Sequence, residues 1–273
     1  MTQKEFPSKI AFAKHLGISR SLLYYNHKLP TKDWALKQHI EVVLHEHPSY
    51  GHKRLAIHLG INKKRILRVM HIYGMKPYRR RGKKWRKTKK NGCSYPNLLI
   101  TEWPQYPHHI WATDFTHLTY HGKVLYLATV MDLFTREVVG FSVLTVHSVH
   151  LVMNAVLSAV HKHPPPSIIH SDQGSEYTSK DYGILADGFG ICISMSHKAS
   201  PWENGYQESF YSQFKVDLGD PNRFSEMGAL VWAIYKTIHD YNNTRIHTRL
   251  KMPPALYARR HWERSKTFSE SVS

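Results

Sequence analysis

The sequence is short of cysteine: Cys93 and Cys192 are the only two in 273 residues. Two cysteines so far apart build no disulfide framework, and alone they cannot supply the four ligands of a structural zinc site. The 21 histidines do not make up the deficit. His45/His47 and His161/His163 sit two apart, yet neither CxxC nor HExxH accompanies them. Long apolar runs are missing too. A run such as Val124 to Met131 falls far short of the ~20 residues that cross a bilayer. The opening residues, MTQKEFPSKI, lack the apolar stretch of a signal peptide. These absences predict a soluble cytoplasmic protein without a membrane partner. No GxxxxGK[ST] phosphate loop is present, so no ATP-driven step is expected. No nucleophilic Ser or Tyr motif is evident either.

Acidic residues are scarce in one region only. Residues 1–100 carry 23 Lys/Arg against 4 Asp/Glu, whereas residues 101–273 carry 15 against 16. The net charge of +18 therefore lies entirely in the first third. A basic block beside a neutral one reads as a polyanion-binding module attached to a separate domain. Solubility alone would not demand so uneven a distribution.

The basic third divides into three stretches. Residues 10–28 read as two short helices around a turn at Gly17, with Ile10 and Ala13 inward, Ser19 as N-cap and Arg20 outward. This is a helix-turn-helix pattern, placed at residues 1–30. A second copy occupies residues 31–77. It has an amphipathic helix over 33–47, a stretch with Leu55, Ala56 and Leu59 ending at Gly60, and a helix capped by Asn62. That last helix turns Ile66, Val69 and Met70 inward and offers Lys63, Lys64, Arg65 and Arg68; Lys53 and Arg54 precede it. Two basic helix-turn-helix patterns in tandem favour double-stranded DNA over plain helical packing. Residues 78–100 form a linker with nine basic residues in the twelve from 79 to 90, among them Arg79, Arg80, Arg81, Lys83, Lys84, Arg86 and Lys87. Such a run repels itself and suits an extended path along phosphates, giving salt-sensitive binding. Trp85 is placed either to stack on a base or to pack on the next domain.

Residues 101–273 change character. Three β-like runs, 110–120, 123–132 and 136–145, are joined first by a tight turn at His121-Gly122. A helix with Val149, Val152, Met153, Val156 and Val160 at helical spacing stops at Pro164–Pro166. A strand over 167–172, a helix over 179–188, a strand over 191–196 and helices from Pro201, over 225–242 and over 253–260 complete a mixed α/β domain.

Three acids in this domain carry chemistry. Asp114 sits within an apolar strand, where a carboxylate is costly unless paired or metal-bound. Asp172 stands where a strand gives way to a polar loop, the usual place for sites in α/β sheets. Glu208 lies on the helix from Pro201, with 35 residues between it and Asp172. Oxygen donors alone suit Mg²⁺ or Mn²⁺ rather than zinc. Phosphodiester chemistry uses such ions in pairs. Asp132 and Arg136 are expected to pair across a strand turn, and Glu176 to support the loop after Asp172. His170 and Gln173 are candidates either for orienting Asp172 and touching DNA or for loop packing.

The strings 111-WATDFTHL-118, 170-HSDQGSEYTS-179 and 199-ASPWENGYQESFYSQFK-215 resemble the three catalytic motifs of retroviral-integrase-type transposase cores. With 47-HPSYGHKRLAIHLGINKKRILRVMHIYGMKP-77, they resemble the OrfB-type transposases of the insertion sequence three family over roughly residues 9–260. The resemblance implies an RNase H-like five-stranded mixed sheet, with Asp114, Asp172 and Glu208 as catalytic and metal-binding acids for two ions. It implies binding of terminal inverted repeats, cleavage to 3′-OH ends and their joining to target DNA. It also implies homo-oligomers on paired ends and an upstream-frame product fused by frameshifting. Lys215, two helical turns after Glu208 and so on the same face, matches a basic residue used near the DNA end. One departure stands out: Glu203-Asn204 replaces the family's common Asp-Asn. Glu203 becomes a rival third acid, but it lies about 140° around a helix from Glu208. Asn204-Gly205 precedes Glu208 as the motif requires, which favours Glu208.

Overall fold

The computed structural model describes residues 8–15, 17, 19, 29–78, 95–196 and 205–270, with side chains as far as 263. Arg20 and the second helix of the first helix-turn-helix pattern lie outside the described residues, as do the basic run at 79–90 with Trp85, and Glu203.

Helix α1 (Lys9–His15) stops ahead of Gly17, whose φ of 65° suits a residue without Cβ. Ala13 is buried as expected, but Ile10 is 59% exposed, because no described element covers that first turn. Next come α2 (Leu29–Glu46), α3 (His52–Leu59) and α4 (Lys63–Ile72). Gly60 closes α3 with φ 64° and returns its N–H to the Ala56 carbonyl. The Asn62 side chain then accepts the Lys64 N–H at 2.9 Å and opens α4. Leu36, Ile40 and Val43 recur at i, i+4 and i+7 along α2 and bury against Leu55, Ile66, Val69 and Met70. The basic side chains Lys63, Lys64, Arg65 and Arg68 all remain outside this core. Arg68 pairs with Asp33 at 2.5 Å.

The second unit is a five-stranded sheet of β1 (Ile110–Tyr120), β2 (Lys123–Asp132), β3 (Val138–Leu144), β4 (Ile168–Ser171) and β5 (Cys192–Met195), in the order β3-β2-β1-β4-β5. The β1–β2 and β2–β3 pairs are antiparallel, whereas β4 and β5 add in parallel on the other side of β1. This is the RNase H-like mixed sheet expected. His121 and Gly122, both with positive φ, make the β1–β2 turn. Side chains on β2 alternate between the faces. Ala128 and Val130 meet α5 (Val149–Val160) and α6 (Lys180–Gly188), while Leu125, Leu127 and Met131 meet α7 (Gly205–Leu218) and α8 (Met227–Asn243). At Gly140 the sheet and α5 come so close that a Cβ would lie 2.5 Å from the Ala155 carbonyl oxygen. Helix α9 (Pro254–Glu270) is longer than the short helix expected. No described helix is long and apolar enough to cross a membrane.

One local expectation is corrected. Asp132 and Arg136 do not pair through their side chains. The Asp132 carboxylate is taken by the N–H groups of His108 and Phe134 and by the Thr135 hydroxyl, at 2.9–3.1 Å. Three donors saturate it. Arg136, held at φ 65°, instead lays its guanidinium over the Tyr206 ring at 4.0 Å.

Candidate active site

Asp114 occupies the centre of β1, where its register partner on β2 is Thr129. Its carboxylate accepts the Phe115 N–H at 2.8 Å. Asp172 follows the end of β4, and the β1–β4 pairing brings Ala112 opposite His170. Two residues further on along each parallel strand stand Asp114 and Asp172. Asp172 turns its own loop by accepting the Gly174 N–H at 3.0 Å. Gly174 is a tight fit there: a Cβ would lie 3.1 Å from oxygens of both Asp172 and Glu176. Glu176 is held from the far side by the Ser175 hydroxyl and by His147, each at 3.0 Å, in the loop-supporting place expected.

The third acid comes from α7. Gln207 and Tyr211, one turn apart, pin this helix onto the sheet. The Gln207 amide donates to the Ala112 carbonyl at 2.7 Å and accepts from the Thr129 hydroxyl at 3.1 Å. The Tyr211 hydroxyl donates to the Asp114 carbonyl at 2.6 Å and meets the Thr129 hydroxyl at 2.8 Å. Apolar burial of Phe210 and Phe214 completes that face. Glu208, next to Gln207, is left exposed. Neither Gln207 nor Tyr211 figures in the reading of the sequence. Their signal was present, since Gln207, Phe210, Tyr211 and Phe214 follow the i, i+3, i+4, i+7 pattern of a buried stripe, and polar groups on such a stripe must have partners.

The electrostatics bind the set together. Burial first, and then the neighbouring Asp172, push the Asp114 carboxyl up to about 7. The Phe115 N–H opposes that shift, Glu208 adds to it, and Lys215 opposes it. Burial also raises Asp172, against the pull of the Gly174 N–H and helped by Glu176, although this side chain keeps a solvent-exposed face. Asp172, Glu208 and Lys215 thus all act on Asp114. Negative charges crowded around a buried carboxylate are unfavourable alone, and a cation among them would relieve the cost. Among the described residues no three His, Cys, Asp or Glu side chains are already arranged to hold an ion. The donors are nonetheless all carboxylate oxygens, which fits a hard divalent cation.

The His170 Nδ1 meets the Ser194 hydroxyl at 2.9 Å, and the Gln173 amide donates to the Ser196 carbonyl at 3.0 Å. Lys53 is exposed, and with Lys215 it borders open grooves beside α7. Arg54 is only half-exposed and donates to the Gln213 side chain at 3.1 Å.

An integrase core domain model matches residues 104–201, and a second model of the same description matches residues 189–254. The transposase for insertion sequence element IS904 of Lactococcus lactis is 35% identical over 247 residues, covering 82% of this chain and 94% of that protein. The chain belongs to the insertion-sequence transposases of the insertion sequence three type. This transposase is also 31% identical to the putative transposase InsK for IS150 of Escherichia coli, over 86% of this chain and 87% of that one. Among solved structures, a chain of a simian T-cell lymphotropic virus intasome aligns with 79% of the transposase, covering 73% of its own length at 18% identity and a TM-score of 0.49.

Proposed function

We propose that this transposase binds the terminal inverted repeats of its element, cuts the DNA to expose 3′-OH ends and joins those ends to target DNA at the site of Asp114, Asp172 and Glu208. The observation that carries this reading is the placement of Asp114 on the central strand and of Asp172 two positions past the parallel Ala112–His170 pair, with Asp172 and Glu208 both raising the Asp114 carboxyl. In this reading the three acids hold a pair of Mg²⁺ or Mn²⁺ ions. When bound, such a pair supplies activation of the attacking oxygen and stabilisation of the leaving oxygen.

The chain's own groups set up that chemistry. The Phe115 N–H fixes the Asp114 carboxylate, and the Gly174 N–H fixes that of Asp172. Gln207 and Tyr211 hold α7 so that Glu208 stands over the sheet and Lys215 lies two turns further on. Lys215 offers its ammonium to a phosphate of the DNA end. The basic residues of α3 and α4 (Lys53, Lys63, Lys64, Arg65 and Arg68) and the basic run at 79–90 hold the duplex through phosphates. Copies of the chain assemble on paired ends in the cytoplasm.

Labelled duplexes carrying the element ends, incubated with the purified transposase and Mg²⁺, test the reading. Cleaved and joined products are expected. Cleavage without any joining would make the protein a nuclease of the same fold and overturn the proposal.

A further inference from the structure

A second polar site lies behind the catalytic helix. A cleft of about 440 Å³ opens between the start of α7 (Gly205, Tyr206 and Ser209), the β2–β3 turn and the segment after α8. Among the described residues its lining includes Arg136 and His247 and no carboxylate. Arg136 is only 4% exposed, and its Nη1 has no hydrogen-bond partner. Among the described residues no acid pairs with it. The His247 Nδ1 on the same wall is likewise buried without a partner, and so is the Nε of nearby Arg54. Burying a guanidinium without an anion is costly. A native fold that does so at the mouth of a cleft leaves room for a ligand that repays the cost.

We propose that this cleft is a phosphate subsite, and that its occupant is a backbone phosphodiester of the DNA held by the transposase. This rests on the proposed function for its choice of DNA as the source. Three observations point to an anion. Arg136 supplies an unpaired charge, steadied by the Tyr206 ring. The Ser209 hydroxyl and the Gln213 amide add polar edges. His247 is held down to about 4, by burial first and then by Arg136, Arg54, Arg245 and Arg249, so guanidinium groups act on this wall. Two further observations point to DNA as the source. Tyr206 and Ser209 flank Glu208 on one helix, and Arg54, reaching in from the basic module, donates to Gln213 on the cleft wall.

The test uses the full chain with Arg136→Gln, which removes the unpaired charge, and Gln213→Glu, which keeps every arginine and sets a carboxylate of nearly the same shape against them. Thermal melting is followed in inorganic phosphate and in chloride at matched ionic strength. Binding of a labelled duplex is followed across a salt series. Phosphate is expected to raise the Tm of the wild type but of neither variant. Both variants should melt cooperatively. The slope of log Kd against log salt should fall by about one in each, the loss of one phosphate contact. A lost phosphate response with an unchanged slope would assign the cleft to free phosphate and overturn DNA as its occupant. An unchanged phosphate response and slope in both variants would overturn the subsite itself. Failure of the wild type to bind any duplex would sink the proposed function, and DNA as the occupant with it. The phosphate melts would then still decide whether the cleft takes an anion.

Discussion

In the proposed function Asp114 is the residue on which the chemistry turns, and its environment makes it the most readily tested. In the unfolded chain it titrates near 3.8, and in the fold burial and Asp172 move it to about 7. Between these values the folded chain keeps a proton that the unfolded chain has released. Stability therefore falls as pH rises through that window, and the cost is fully present above pH 7. Asp114→Asn removes the charge and the cost together. In EDTA at pH 8 the variant should melt several degrees above the wild type, and the gap should close towards pH 4. Mg²⁺ at pH 8 should raise the Tm of the wild type alone. A variant that melts at or below the wild type at pH 8 would contradict this account of the site.

At the scale of elements, α7 sets the reach of Glu208 and Lys215, and Gln207 sets α7. Gln207→Leu keeps the volume but strips partners from the buried Ala112 carbonyl and Thr129 hydroxyl, at a cost of about 1–3 kcal/mol. The joining rate should fall by about 10²-fold, as expected for a small displacement of a reacting group, with duplex affinity unchanged. Equal losses in rate and affinity would show that Gln207 serves the fold and not the site. The strands and most helices were legible in the sequence, because apolar alternation on β2 and the stripes of α2, α4 and α5 report burial directly. Asp114 and Asp172 were legible as acids at β positions. The partner of Arg136 was not, because Tyr206 is 70 positions away and the neighbouring Asp132 is saturated by closer donors. Ile10 misled for a similar reason: periodicity marks an apolar face but does not say what covers it.

The two units of the molecule meet at a joint around Arg245. Arg245, 4% exposed, pairs with Asp217 at 2.9 Å and donates to Ser49 and Gln213. Ser49 reaches Asp217 at 3.0 Å, and the Tyr50 hydroxyl accepts the Ile246 N–H at 2.8 Å. The basic helical module is thereby fastened to the end of α7, the helix that also carries Glu208. None of this is local in sequence, so periodicity and motif spacing gave no sign of it. Arg245→Ala leaves Asp217 without its buried partner, and losses from such pairs run to about 3–5 kcal/mol. Denaturant unfolding should show a loss of that size, together with protease cutting between residues 47 and 95. A loss under about 1 kcal/mol would show the joint to be a solvated surface pair.

If Asp114, Asp172 and Glu208 form one site that joins DNA, a strand-transfer assay with Mg²⁺ and labelled, pre-cut element ends shows it directly. The wild type, Asp114→Asn and Glu208→Gln are compared at protein levels where all three bind the duplex equally. The wild type should yield joined products and both variants none. Joined products that survive Asp114→Asn would contradict the account.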